Sequence, residues 1–346
     1  MSRTVARHAV LLTGVTALFA LTACGSSSSG AKNTAATGGS GGKVTLNLVA
    51  YSTPQAAYTA EIKAFQATPA GKNVDIKTSF GASGDQSRAV ASGQAADIVA
   101  FSLAPDIDRL VKANLVAADW NANQYKGMIT DSVVVITTRK GNPKNIKTWD
   151  DLVKPGVQVL TPNPFSSGSA RWNILAAYGA EIKAGKTEAQ ATAYLTALFK
   201  NVPVQADSGR ASLQVFTGGK GDAILTYENE AIFAQQNKQA IDYTVPDSTI
   251  LIENPIAVTS KSSHPTQAKA FLDFLYSEAG QKIYEDNGYR PIVPTTPGAD
   301  KFPKPAQLFT ITDLGGWTAA TKKFFDADTG LITTIEKNNG VSTTGK

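Results

Sequence analysis

The chain holds one cysteine and two histidines in 346 residues, and these shortages exclude much chemistry. Cys24 stands close to the amino terminus, so the folded part has no internal disulfide and no thiolate metal site. His8 falls in the amino-terminal leader, which leaves His264 as the one histidine for the folded part. A Ser/His nucleophile system or a histidine-rich metal centre has too little to work with. His264 lies in "KSSHPTQ", a polar loop opening a helix. No G-x-S-x-G turn, P-loop or dinucleotide fingerprint occurs. Charge is thin as well: 33 Lys+Arg face 28 Asp+Glu, for a formal net charge of +5. No basic cluster emerges, which argues against nucleic acid as a partner. Long apolar runs are missing too, since Ala9–Ala20 is too short for a comfortable membrane span.

What is present begins with a leader. Arg3 and Arg7 precede the apolar run, and Leu21-Thr22-Ala23-Cys24 closes it, the order of a secretory signal. The "LTAC" ending resembles a bacterial lipobox, which implies a signal peptide over 1–23 and a lipidated thiol at Cys24. Residues 24–42, "CGSSSSGAKNTAATGGSGG", are rich in Gly, Ser and Ala and form a flexible tether unable to bury a core. The folded part is expected from Lys43 or Val44 onward. At 42% hydrophobic and 18% charged residues, it has the composition of an ordinary soluble globule.

"VTLNLVAY" (44–51) alternates and is rich in β-formers, and Ser52-Thr53-Pro54 then opens an amphipathic helix over 54–66. "VDIKTSF" (74–80), a helix through Ala91 and "ADIVAFS" (96–102) continue a β-α-β-α-β rhythm, which predicts a parallel sheet covered on both faces. An extended segment at 131–143 leads to a second series: strand 157–160, helices 169–183 and 187–200, strand 202–206, helix 210–217 and strand 222–226. Residues 250–260 are extended again, and 265–288 are helical. Two α/β units joined by two extended crossings predict two lobes with a cleft, the first built from 44–135 plus 250–346 and the second from 136–249. The last segment, "FDADTGLITTIEKNNG", is expected to pack on the first lobe.

"TPNPFSSGSARWN" (161–173) concentrates the functional signal. Pro162 and Pro164 stop a strand, and small hydroxyl residues then open a helix. Such a start is either a capped helix or an anion cradle, because the first turn offers unpaired N–H donors and the positive end of the helix dipole.

This stretch, with "SFGASGDQ", "RKGNPKNIKTWDDLVKPGVQVL", "ALFKNV", "GDAILTYENEA", "YSEAGQ" and "YRP", resembles the periplasmic sulfate-binding proteins of ABC importers, from about residue 44 to near 340. The resemblance implies an α/β, type II periplasmic-binding-protein fold and no enzymatic role or cofactor. It implies a sulfate held by N–H groups, hydroxyls and a ring donor, with no cationic side chain on the anion. The positions that match are the N–H of Ser52; Ser83; the hydroxyl of Ser167; the N–H groups of Gly168 and Ser169; an N–H at Gly209 or Arg210; and Tyr227. The family usually has Trp where Tyr227 stands. A tyrosine hydroxyl donates but also accepts, which keeps thiosulfate, molybdate or tungstate open. Phosphate carries a proton that needs an acceptor, so it would require Asp207 or Glu228 to reach the anion. Arg171 is expected behind the site, pairing with an acid such as Glu228. The implied partners are an ABC permease with its cytoplasmic ATPase and the membrane through Cys24, with the chain itself a monomer on the extracytoplasmic side.

Overall fold

The computed structural model describes residues 42–344. The signal peptide expected over 1–23, the expected lipidation site Cys24 and the expected tether apart from Gly42 therefore lie outside the described residues. The first unit runs β1 (Val44–Tyr51), α1 (Gln55–Gln66), β2 (Val74–Gly81), α2 (Ser83–Ala91), β3 (Ile98–Ala100), α3 (Ala104–Lys112). The second follows the crossing strand β4 (Met128–Arg139): β5 (Val159–Leu160), α4 (Gly168–Lys183), α5 (Glu188–Lys200), α6 (Gly209–Thr217), β6 (Ala223–Tyr227), α7 (Glu228–Gln236), β7 (Ile241–Thr244). The chain returns through β8 (Ser248–Val258) into α8 (Pro265–Leu275) and α9 (Glu278–Asp286), then β9 (Gln307–Phe309), α10 (Gly316–Phe325) and α11 (Leu331–Asn338).

The strands join in the order β2-β1-β3-β8-β4-β6-β5, with β7 on β4 and β9 on β8. β1 pairs in parallel with both β2 and β3, as the β-α-β rhythm requires. Side chains alternate along β1: Leu46, Leu48 and Ala50 enter one core with α1 and α8, whereas Val49 enters another with Phe101 and Leu110. Both faces are thus covered, which is the usual condition for a parallel sheet. β4 and β8 are the two crossings. They pair with each other over Met128–Val133 and Leu251–Pro255. Beyond that stretch β4 pairs with β6, and β8 with β3. Each long strand therefore serves both halves of the molecule.

Several local expectations need correction. Residues 202–206 form no strand, because Pro203 removes a ladder donor and Val204 is exposed. The helix expected over 265–288 breaks at Tyr276–Ser277, where Ser277 accepts from the Gly280 N–H at 3.2 Å and starts a new helix. The carboxyl-terminal helices pack on α4 and α5 rather than on the first unit. Trp317 meets Trp172 edge-on at 4.7 Å, Phe324 meets Tyr178 at 4.8 Å, and Gln205 bonds to Glu336. Their apolar positions need an apolar surface, and α4, buried on nearly every side, supplies it.

Candidate functional site

The site residues stand beyond the carboxyl ends of β1, β2, β3, β5 and β6, where open α/β sheets hold their ligands. Ser52 leaves β1, Ser83 opens α2, Ser167 precedes α4, Gly209 opens α6, and Tyr227 ends β6. Glycine contacts show how tightly these starts converge. A Cβ on Gly84 would lie 2.9 Å from the Ser166 carbonyl, which ties α2 to the turn before α4. On Gly168 it would lie 2.6 Å from Ser102 Oγ, and on Gly209 it would lie 2.8 Å from Ser169 Oγ and 3.1 Å from Thr53 Cγ2. Real Cβ atoms do not approach so closely, so both positions need glycine for packing at unremarkable φ. The structure brings together Ser83, Ser167, Gly168, Ser169, Gly209 and Tyr227, with Ser52 adjoining through Thr53.

The donors differ in what they have left to give. The α-helices that begin after a serine or threonine are α4, α5, α6 and α9. Thr187, Ser208 and Ser277 each accept a backbone N–H of their own helix, whereas Ser167 makes no capping bond. The Ser167 side chain and the first N–H groups of α4 therefore keep their bonding capacity. In α6 the Ser208 hydroxyl takes the Ala211 N–H at 3.2 Å. The N–H groups of Gly209 and Arg210 precede that capped one. Ser83 donates its hydroxyl to Asp106 at 2.6 Å and accepts from the Ser102 N–H at 2.9 Å. Its hydroxyl is spent, and what it can offer an anion is its N–H at the start of α2.

Arg88, Asp106 and Arg109 line a small cavity with Gly84, Ser167 and Gly168, whereas Arg210 and Glu228 are engaged elsewhere. Arg210 grips Glu230 through Nε at 2.9 Å and Nη2 at 2.6 Å, lies over the Phe233 ring, and donates to the Thr53 carbonyl at 2.8 Å. Arg171 does not pair with Glu228. Its Nε donates to the Pro164 carbonyl at 2.9 Å and its guanidinium lies over Phe325, because the incoming α10 provides that ring. Glu228 is taken instead by Arg290 at 2.7 Å. Burial raises the carboxyls of Glu228 and Glu230, and their arginines oppose that rise. Tyr227 is fully buried, and burial raises its phenol above the ordinary range.

Sequence reasoning missed Ser102. It follows β3, is fully buried, and its Oγ lies 2.6 Å from the Tyr227 hydroxyl. A single serine in "AFSLAP" carries no pattern that separates it from a loop residue. Two cavities of about 400 Å³ lie elsewhere, one lined by Asn47, Asp97 and His264, the other by Trp149, Glu181 and Asp247. Volume alone would favour them, but neither gathers helix starts from both units. Among the described residues no group of three or more His, Cys, Asp or Glu could hold a metal ion, and no helix is long and apolar enough to cross a membrane.

A two-unit α/β molecule whose helix starts converge between the units is the architecture of a solute-binding protein, and the chain belongs to the bacterial extracellular solute-binding protein family, whose model matches residues 46–290. It is similar to the sulfate-binding protein of Synechococcus elongatus, 43% identical over 309 residues, 86% of this chain and 88% of that one. It is also similar to the thiosulfate-binding protein of Pseudomonas aeruginosa, 36% identical over 78% of this chain and 84% of that one. Its fold superposes on the sulfate-binding protein SubI of Mycobacterium tuberculosis with a TM-score of 0.79 and 45% identity, covering 82% of this chain and all of that one. The fold is thus that of the periplasmic binding proteins.

Proposed function

We propose that the chain captures sulfate between two lobes and delivers it to an ABC-type permease. The observation that carries this reading is the uncapped start of α4, where Ser167 keeps its hydroxyl free of its own helix while the starts of α2 and α6 meet it. Backbone N–H groups at helix starts are suited to a desolvated anion. Sulfate has no proton at neutral pH and only accepts, so a cleft of donors fits it. The identity to sulfate-binding relatives supports the same ligand. Thiosulfate stays as a second reading, favoured by the similarity to a thiosulfate-binding protein. The binding groups are the N–H of Ser52, Ser83, Gly168, Ser169 and Gly209 or Arg210, with the hydroxyls of Ser167 and Tyr227.

The lobes meet along β4 and β8, with residues 44–135 and those returning from 250 in one and 136–249 in the other. The carboxyl-terminal helices cover the second. Cross-lobe bonds such as Gly84 N–H to the Ser166 carbonyl at 2.9 Å and Arg210 to the Thr53 carbonyl at 2.8 Å belong to the approached arrangement. An anion touching both lobes favours that arrangement and shifts the population toward it. The relatives are binding proteins, and the reading assigns no catalytic residue. The leader and the lipidated Cys24 would hold the monomer outside the cytoplasmic membrane, with the tether giving it reach. Incorporation of labelled fatty acid, lost in Cys24→Ser, tests the anchor.

Calorimetric titration of residues 43–346 with sulfate, thiosulfate, molybdate and phosphate tests the ligand. Ser167→Ala is expected to weaken sulfate by about 1–3 kcal/mol. Strong heat from phosphate with none from sulfate would overturn the assignment.

A further inference from the structure

We propose that Ser102 is a positioning residue that turns the Tyr227 hydroxyl proton toward the bound anion and so sets a preference for tetrahedral oxyanions that carry no proton. The inference rests on the oxyanion reading above and deepens it.

Ser102 is fixed on every side. Its N–H donates to Ser83 Oγ at 2.9 Å, and Ser83 in turn donates to Asp106. Its carbonyl accepts from Trp172 Nε1 at 2.8 Å and from Asn254 Nδ2 at 3.0 Å. These bonds come from α2, α4 and the crossing strand β8, so the main chain of Ser102 has no room to turn. Gly168 presses on the side chain, since a Cβ there would lie 2.6 Å from Ser102 Oγ and 2.7 Å from its Cβ. The hydroxyl is left facing Tyr227 at 2.6 Å, across a sequence separation of 125 residues.

A phenol has one proton and can send it in one direction only. Tyr227 bonds to Ser102 at 2.6 Å, and either hydroxyl can be the donor. When Ser102 donates into the phenolic oxygen, that oxygen accepts inward and its own proton is released to the cleft. A fully deprotonated oxyanion accepts this proton. A monoprotonated one presents an O–H that requires an acceptor, and a Tyr227 held as donor refuses it. Removing the Ser102 hydroxyl frees the phenol to reverse, with its proton inward and a lone pair outward. The cleft then tolerates a protonated ligand.

The test uses the folded chain, with sulfate titrated directly and inorganic phosphate measured by competition against sulfate at neutral pH. Ser102→Ala is expected to weaken sulfate about tenfold, the size of one hydrogen bond, and to weaken phosphate less, so that the preference narrows. Tyr227→Phe should narrow it as well, and the double variant should lose no more sulfate affinity than Tyr227→Phe alone. Equal weakening of both anions, or additive losses in the double variant, would overturn the proposal. Should Ser102→Ala fail to fold, Tyr227→Phe decides, because an unchanged ratio there is equally fatal. A wild-type chain that binds neither anion removes the function and the inference together, whereas sulfate binding without these ratios removes the inference alone.

Discussion

Glu61, on the buried face of α1, and the pair Glu228 and Glu230, beside the cleft, are all fully buried, yet the chain neutralises them by different means. Neither carboxylate oxygen of Glu61 has a hydrogen-bond partner, and burial pushes its carboxyl up to about 10. It stays neutral by keeping its proton. Glu230 and Glu228 instead receive arginines, Arg210 and Arg290. A proton suffices in a region with no ligand to hold. Next to the cleft a paired arginine does more, because Arg210 also reaches across to the Thr53 carbonyl. Charge at Glu230 is therefore both cancelled and used to join the two units.

Stripping the partner from the cleft acid should have the largest effect. Arg210→Met leaves Glu230 buried without its cation and should cost about 3–5 kcal/mol in denaturant unfolding, the usual penalty for an orphaned buried charge. Adding Glu230→Gln should recover much of it, and a double variant as unstable as the single would break the comparison. Next comes the close approach of the units. Gly168→Ala places a methyl against Ser102 and Leu103 and should weaken sulfate by about 1–3 kcal/mol through overpacking, with little change in the melting temperature of the ligand-free protein.

Glu61 gives a smaller effect that depends on pH. Its folded pKa lies above its unfolded one, so the folded state holds a proton that the unfolded state releases. Its contribution to stability is complete in acid and falls as pH rises from the ordinary carboxylate range through about 10. Glu61→Gln, which cannot ionise, should therefore gain stability over the wild type as pH increases, with the two converging near pH 5. Unfolding curves at several pH values check the sign, and a gap that widens toward acid would show that Glu61 is charged. His264→Ala should have the smallest effect. His264 stands at the start of α8 beside a separate cavity, so titration should find sulfate affinity unchanged.

Much of the fold was legible in the sequence because the signals were local. The alternation in Val44–Tyr51 and the Ser-Thr-Pro after it set β1 and α1 without reference to the rest of the chain. The small-residue starts at Ser83, Ser167 and Gly209 were legible for the same reason. The strand expected at 202–206 failed because β-forming residues need a partner edge, and Pro203 sits where one would have to bond. The carboxyl-terminal helices were misplaced because an amphipathic pattern says that a face is buried but not against what. Trp172, Tyr178 and Phe309 supply that answer.

The sequence by itself determined the alternation of strands and helices, and the places where helix starts would offer N–H groups. Each of these is encoded within a few residues. Only the tertiary structure decided that Ser102 meets Tyr227, that Arg210 spans from Glu230 to Thr53, and that Arg290 rather than Arg171 takes Glu228. These contacts join residues far apart in the chain. They depend on backbones approaching within the width of a missing methyl at Gly168 and Gly209, and no local pattern records that distance.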